Sequence, residues 1–210
     1  GINLEQYITI DAVINGIRED RGKESKKTKF VKKLKGELTD IVDENDVPVE
    51  VTEAGFTHIF GLRHRTSNAF VFTPNGKLFL QRRVHNKAEA KTFSIAGGHV
   101  VHGTTYAEAA TEELLQELKL DKIEAKLEGS LILVGQEGQF QNDDAKGPNN
   151  EFRSLYAYVL TEKEWTHVKK MKDEIDAERA RRTEQEFEKW IEEQQSAETG
   201  YGEAWGYHVV

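Results

Sequence analysis

Glu113 and Glu117, four residues apart, are the side chains in this chain with the clearest capacity for chemistry. They sit in the stretch Gly97–Leu120, GGHVVHGTTYAEAATEELLQELKL, where a glycine pair leads into one amphipathic helical pattern. Residues four apart on a helix are neighbours on one edge. Two carboxylates held one turn apart below a glycine loop suit a hard, oxygen-seeking cation such as Mg2+ or Mn2+. Gln116 beside them offers an amide oxygen without charge. The plainer reading of the same acids is a solvated helix edge. Ala107, Ala110, Leu114 and Leu118 recur at three- and four-residue intervals, which predicts the buried stripe of this helix.

The segments around this helix must position it. ELTDIVDENDVPVEV, from Glu37, reads as strand, acidic turn, strand, and Thr52–Leu62 reads as a short helix or loop. HRTSNAFVFTPNGKLFLQRR is a hairpin pattern around Pro74-Asn75-Gly76 that ends in Arg82 and Arg83. FSIAGGH returns as a strand into the glycine loop. Lys122–Val134 reads as a strand pair or one bent strand, Gln136–Asn150 as a polar mobile loop, and EFRSLYAYVL as a half-buried strand. Thr161 opens a long charged helix to about Ser196, polar all round in its middle and therefore expected on the surface with a bend or break. The aromatic tail YGEAWGYHVV is expected to dock on its own domain or on a second subunit. Residues 1–36, with eight Lys/Arg in the fifteen residues 21–35, read as a helical and basic extension, 37–160 as the main domain, and 161–210 as a C-terminal helix and tail. The fold class is α/β, with a mixed sheet between helices.

Composition narrows the function. The 210 residues include no cysteine, which excludes disulfides, thiolate nucleophiles and Cys-type zinc sites. The net charge of −8 argues against nucleic acid and anionic membrane as partners. No apolar run approaches a membrane span and no signal-like core opens the chain, so a cytoplasmic location is expected.

The Gly97–Leu120 stretch resembles the signature of the Nudix hydrolases, GX5EX7REUXEEXGU, with U a bulky aliphatic. Gly98, Glu113, Leu114, Glu117 and Leu120 match at the proper spacing. Thr104, Glu112, Gln116 and Lys119 stand where the family has glutamate, arginine, glutamate and glycine. A wider resemblance over roughly residues 38–160 is to the branch containing type I isopentenyl-diphosphate isomerase and isomerase-like Nudix hydrolases. It implies a Nudix-type α/β/α sandwich. It also implies that His64 and His99 are metal ligands, that Glu151 is both ligand and catalytic acid/base, and that Glu117 lies near the metal. His58 falls one position away from another ligand histidine of that branch. The isomerase itself needs a cysteine where this chain has Gly97, so its reaction is not expected.

The resulting expectation is a divergent Mg2+- or Mn2+-dependent hydrolase of a nucleoside diphosphate derivative or other organic diphosphate. Glu113, Glu117, Gln116, His99 and His64 would serve the metal, Glu117 and Glu151 the catalysis, and Arg82 and Arg83 the substrate phosphate. The alternative is a catalytically silent Nudix module that binds a nucleotide or protein partner. A homodimer is compatible with the tail.

Overall fold

The computed structural model describes residues 37–83, 92–123, 127, 131–144, 147–196 and 204–210. The basic run at 21–35, with the rest of residues 1–36, lies outside them. So do His85 and the side chain of Arg83.

Strand β3 (His64–Phe72) is the axis of a nine-stranded mixed sheet. β1 (Leu38–Val42) and β2 (Pro48–Glu53) form an antiparallel pair that joins β3 through Ile41 and His64. A short helix, α1 (Ala54–Phe60), follows β2. β4 (Leu78–Arg83) returns from β3 across a turn in which Gly76 adopts φ 81° and the Thr73 amide donates to the Lys77 carbonyl at 2.8 Å. β5 (Phe93–Ser94) pairs with β4, and β6 (Ala96–His99) pairs with β3.

Helix α2 (Tyr106–Glu117) starts at a reciprocal cap. The Thr105 hydroxyl accepts from the Glu108 amide at 3.2 Å, and the Glu108 carboxylate accepts from the Thr105 amide at 2.7 Å. Its buried residues are Ala109, Ala110, Leu114 and Glu117 and, just beyond its end, Leu118, whereas Ala107 is exposed. The first turn thus departs from the expected stripe, because Tyr106 rather than Ala107 packs towards the core.

Two sequence expectations fail after this helix. The 122–134 segment does not begin as a strand. Lys119 takes a left-handed conformation at φ 52°, a 3-10 turn (Leu120–Ile123) follows, and β7 (Ile132–Asp144) starts later. Nor is 136–150 a loop. β7 and β8 (Gly147–Val159) pair antiparallel from Ile132–Ala157 to Asp144–Gly147, with irregularities near Gly135 and Gly138. Strand pairing satisfies the backbone groups of a polar segment as well as those of an apolar one, so composition alone misassigned it. β8 also runs parallel to β3 along the whole length of β3, from His64–Glu151 to Phe72–Val159.

The long C-terminal helix breaks as expected, into α3 (Glu162–Arg181) and α4 (Glu184–Ser196), but both pieces pack into the core rather than lying on the surface. The break falls in the polar middle, at Arg182, whose backbone is extended, and Thr183 starts the next helix by accepting from the Glu186 amide at 3.4 Å. Val168, Met171 and Ile175 of α3 and Phe187 and Ile191 of α4 join one core with Leu114, Leu118, Phe79 and Tyr207. The tail forms β9 (Ala204–Val209) along β4, so it docks on its own domain.

Candidate metal centre

Side chains on adjacent strand positions point to opposite faces of a sheet. On β3, Ser67, Ala69 and Val71 face α2. The Ser67 hydroxyl donates to the Tyr106 carbonyl at 2.8 Å, and Ala69 and Val71 share the core with Ala110 and Leu114. His64 and Thr66 therefore face the other way. Register carries this to the neighbours. Thr66 is level with His99 of β6, and His64 is level with Glu151 of β8.

Helix α1 adds a third imidazole on that face. It ends at Gly61, in the left-handed conformation at φ 63°, and the Leu62 amide turns back to the Thr57 carbonyl at 2.8 Å. This reversal lays His58 over the start of β3. The rings of His58, His64 and His99 form a triangle with all three centroid separations 5.0 Å. One ligand atom from each lies within 4.8 Å of the others, and His58 Nε2 and His99 Nε2 are 3.0 Å apart. His64 is fully buried and His58 is buried.

The protonation pattern of His64 points to a cation. Its Nδ1 lies 2.8 Å from the Leu62 carbonyl, which can only accept, so Nδ1 carries the hydrogen. Burial lowers the pKa of the ring below its ordinary 6.5, against the opposing pull of the Leu62 carbonyl, and the ring is neutral. The Nε2 lone pair then faces the centre of the group. It makes no hydrogen bond, and Glu151 Oε1 stands 3.8 Å away. Two acceptors facing each other in a buried space are stabilised by a positive ion between them. Glu151 is itself held ionised: burial alone would raise its pKa, but the Arg153 guanidinium and the Asn149 amide outweigh burial and lower it. Its Oε2 accepts from Arg153 Nη2 at 2.6 Å and from Thr66 Oγ1 at 3.1 Å. Three imidazole nitrogens and a carboxylate fit a borderline transition ion such as Zn2+ better than the all-oxygen preference of Mg2+.

The other residues singled out from sequence lie elsewhere. Glu113 approaches β6 from the α2 side, where its Oε1 is 2.1 Å from the position a Cβ on Gly98 would take. Glu117 is buried and accepts from Gln81 Nε2 at 3.1 Å. Gln116 is exposed and donates to Glu112 at 2.8 Å. The structure thus brings His64, His99 and Glu151 together and leaves Glu113, Glu117 and Gln116 on the helix side of β6. Arg82 is half-buried on β4, level with Phe93 and Gly206. Thr66 and Arg153 were not legible as site residues, and His58 carried little weight. For Arg153 the available signal was its alternate position to Glu151 on one strand. For His58 it was the glycine that reverses the chain between the two histidines.

A sequence model of the NUDIX domain matches residues 62–201. This chain belongs to the Nudix family. The match runs from the start of β3 through α3 and α4. An uncharacterized Nudix hydrolase of a Nostoc species is 37% identical over 91 residues, which cover 40% of this chain and 52% of that protein. One of Streptomyces coelicolor is 38% identical over 84 residues, covering 39% of this chain and 46% of that protein. The chain therefore spans about half the length of the curated relatives it matches. Among solved structures, a Deinococcus radiodurans protein superposes with a TM-score of 0.45 at 23% identity, covering 60% of this chain and 73% of that one. The NUDIX domain of Shewanella oneidensis NrtR, complexed with ADP ribose, gives a TM-score of 0.33 at 16% identity over 46% of this chain and 60% of that one.

Proposed function

We propose that this Nudix chain is a divalent-metal-dependent hydrolase of an organic diphosphate, such as a nucleoside diphosphate derivative, and that its metal is held by His58, His64, His99 and Glu151. The observation that carries this reading is the triangle of imidazoles, with the His64 Nε2 lone pair turned towards Glu151 Oε1. A bound divalent ion supplies a polarised phosphoryl oxygen and a water acidified towards neutral pH. The chain's own residues do the rest. The Leu62 carbonyl fixes the His64 tautomer, and Thr66 and Arg153 fix the Glu151 carboxylate, so the donors are preorganised. Glu113 and Glu117 are the acids that the Nudix signature retains, and they are assigned to a second, oxygen-ligated cation on the helix side. Arg82 and Arg83 are assigned to substrate phosphate.

Isomerase chemistry has no support. A Cβ on Gly97 would lie 2.2 Å from Asn68 Nδ2 and 2.5 Å from the Ser67 carbonyl, so the position that would need a cysteine has no room for one. A second reading, a module that binds diphosphates without turnover, is favoured by Gln116, which is tied to Glu112 where the family places an acid.

Incubation of the protein with a panel of nucleoside diphosphate derivatives and Mg2+, Mn2+ or Zn2+ tests the proposal. Metal-dependent release of phosphate products, lost in both His64→Gln and Glu117→Gln, supports it. Turnover indifferent to both substitutions opposes it, and tight binding without turnover selects the second reading.

A further inference from the structure

Glu151 and Arg153 alternate along β8 and share the sheet face that carries His64 and Thr66. Arg153 reaches one oxygen of Glu151 with two of its nitrogens, Nη2 at 2.6 Å and Nε at 3.3 Å, both on Oε2. Thr66 takes the same oxygen. The other oxygen, Oε1, is the one that faces His64.

This arrangement sets the charge of the centre. Neutral imidazoles contribute none, and the single negative charge of Glu151 is already matched by the Arg153 guanidinium. Among the described residues, the group of ligand atoms within 4.8 Å of one another consists of the three imidazoles alone. Counted over the three imidazoles, Glu151 and Arg153, a divalent ion seated there would carry about two net positive charges beside a fully buried histidine, and buried charge is costly unless paired. A phosphoryl oxyanion supplies the missing charge. The planar guanidinium fork is the side chain best matched to its geometry. At 23% side-chain exposure, Arg153 is partly solvent-accessible, in contrast to the buried His64 and Glu151.

We propose that Arg153 is the anion anchor of this centre: together with the ion held by His58, His64, His99 and Glu151, it binds a phosphoryl group of the substrate. This rests on the metal centre proposed above, so the test separates the two.

The full chain is first titrated with Mn2+ or Zn2+ by calorimetry, and the loaded protein is then titrated with inorganic pyrophosphate. Arg153→Met, Arg153→Lys and Thr66→Val are compared with the parent, each checked for folding by circular dichroism. All three changes touch an outer partner of Glu151, so metal affinity is expected to fall by up to roughly 10–100-fold, and pyrophosphate is titrated at saturating metal. Pyrophosphate affinity falls by about tenfold or more in Arg153→Met, and by less in Arg153→Lys and in Thr66→Val, which loses a Glu151 contact but keeps the guanidinium. Equal pyrophosphate affinity in parent and Arg153→Met overturns the proposal. Complete loss of metal binding in Arg153→Met, or a pyrophosphate loss in Thr66→Val as large as in Arg153→Met, also overturns it, because Arg153 would then only position Glu151. A parent that binds no ion refutes the metal centre, and the anchor falls with it. Should Arg153→Met fail to fold, Arg153→Lys decides: pyrophosphate affinity equal to the parent's overturns the anchor, and a loss of about threefold or more with metal retained supports it.

Discussion

His64 donates from Nδ1 to the Leu62 carbonyl at 2.8 Å, two residues back along its own chain, and this short-range bond decides what its other nitrogen can do. It fixes the tautomer that presents a bare Nε2 to Glu151 and the other two imidazoles. A backbone carbonyl that orients a ligating histidine is a recurrent device in metal sites. Here the strand's first residue carries it, because the Gly61 turn places Leu62 immediately before β3.

Adjacent glycines of β6 should respond differently to a methyl group. At Gly97 a Cβ meets strand backbone, the Ser67 carbonyl at 2.5 Å and Asn68 Cα at 2.9 Å, which cannot withdraw. Gly97→Ala is expected to cost about 1–3 kcal/mol as overpacking. At Gly98 the Cβ meets the end of the Glu113 side chain, which can swing away. Gly98→Ala is therefore expected to cost less than Gly97→Ala while displacing Glu113. Urea unfolding of the two variants, with any diphosphate hydrolysis measured in parallel, checks both halves.

Lys119 holds a left-handed conformation, φ 52°, at the end of α2, where glycine carries no steric penalty. Lys119→Gly is expected to stabilise the protein, or leave it unchanged, within about 1 kcal/mol, the relief being partly offset by the greater freedom of glycine in the unfolded chain. A lower midpoint in urea would contradict the conformational reading.

The C-terminal helices are part of the domain core. Ile191 is fully buried and Phe187 nearly so, in one cluster with Leu114 and Tyr207. Ile191→Ala is expected to cost about 2–5 kcal/mol. Its unfolding transition should also remain single by fluorescence and circular dichroism. A separate early transition for 161–210 would show an independent appendage instead.

Three exposed carboxylates set a pH dependence. Backbone amides of Val47 and Asn45 lower the pKa of Asp43, and the caps at Thr105 and Thr183 lower those of Glu108 and Glu186. The unfolded chain therefore takes up these protons first as pH falls. The stability they contribute is full above their ordinary values, 3.8 for Asp43 and 4.5 for the glutamates, and is lost as pH drops through the lowered folded values. Melting temperature measured from pH 6 to 3 should fall at the acid end. In the Glu108→Gln, Glu186→Gln double variant the fall should be shallower.

Much of this was legible in the sequence, for physical reasons that also mark its limits. The α2 stripe and the β3–β4 hairpin announced themselves because one buried face imposes a period. His64, His99 and Glu151 were reached through resemblance, and register places them on one face. Grouping them with Glu113, Glu117 and Gln116 could not be checked without that register, since a one-residue step along β6, from Gly98 to His99, changes the face. His58 was weighed lightly because its place depends on a left-handed turn at Gly61, which residue types alone leave open. Arg153 went unread although its strand was expected, because an arginine on a half-buried strand shows no partner until register and alternation put it beside Glu151.

The central claim is that His58, His64, His99 and Glu151 form a metal centre. Calorimetric titration of the chelator-stripped protein with Zn2+ and Mn2+, beside His64→Gln and His99→Gln, tests it most directly. The account predicts one ion per chain at this centre. Each substitution should weaken its affinity by more than the roughly 10–100-fold typical of losing an outer partner. A parent that binds neither ion, or histidine variants that bind as tightly as the parent, would contradict it.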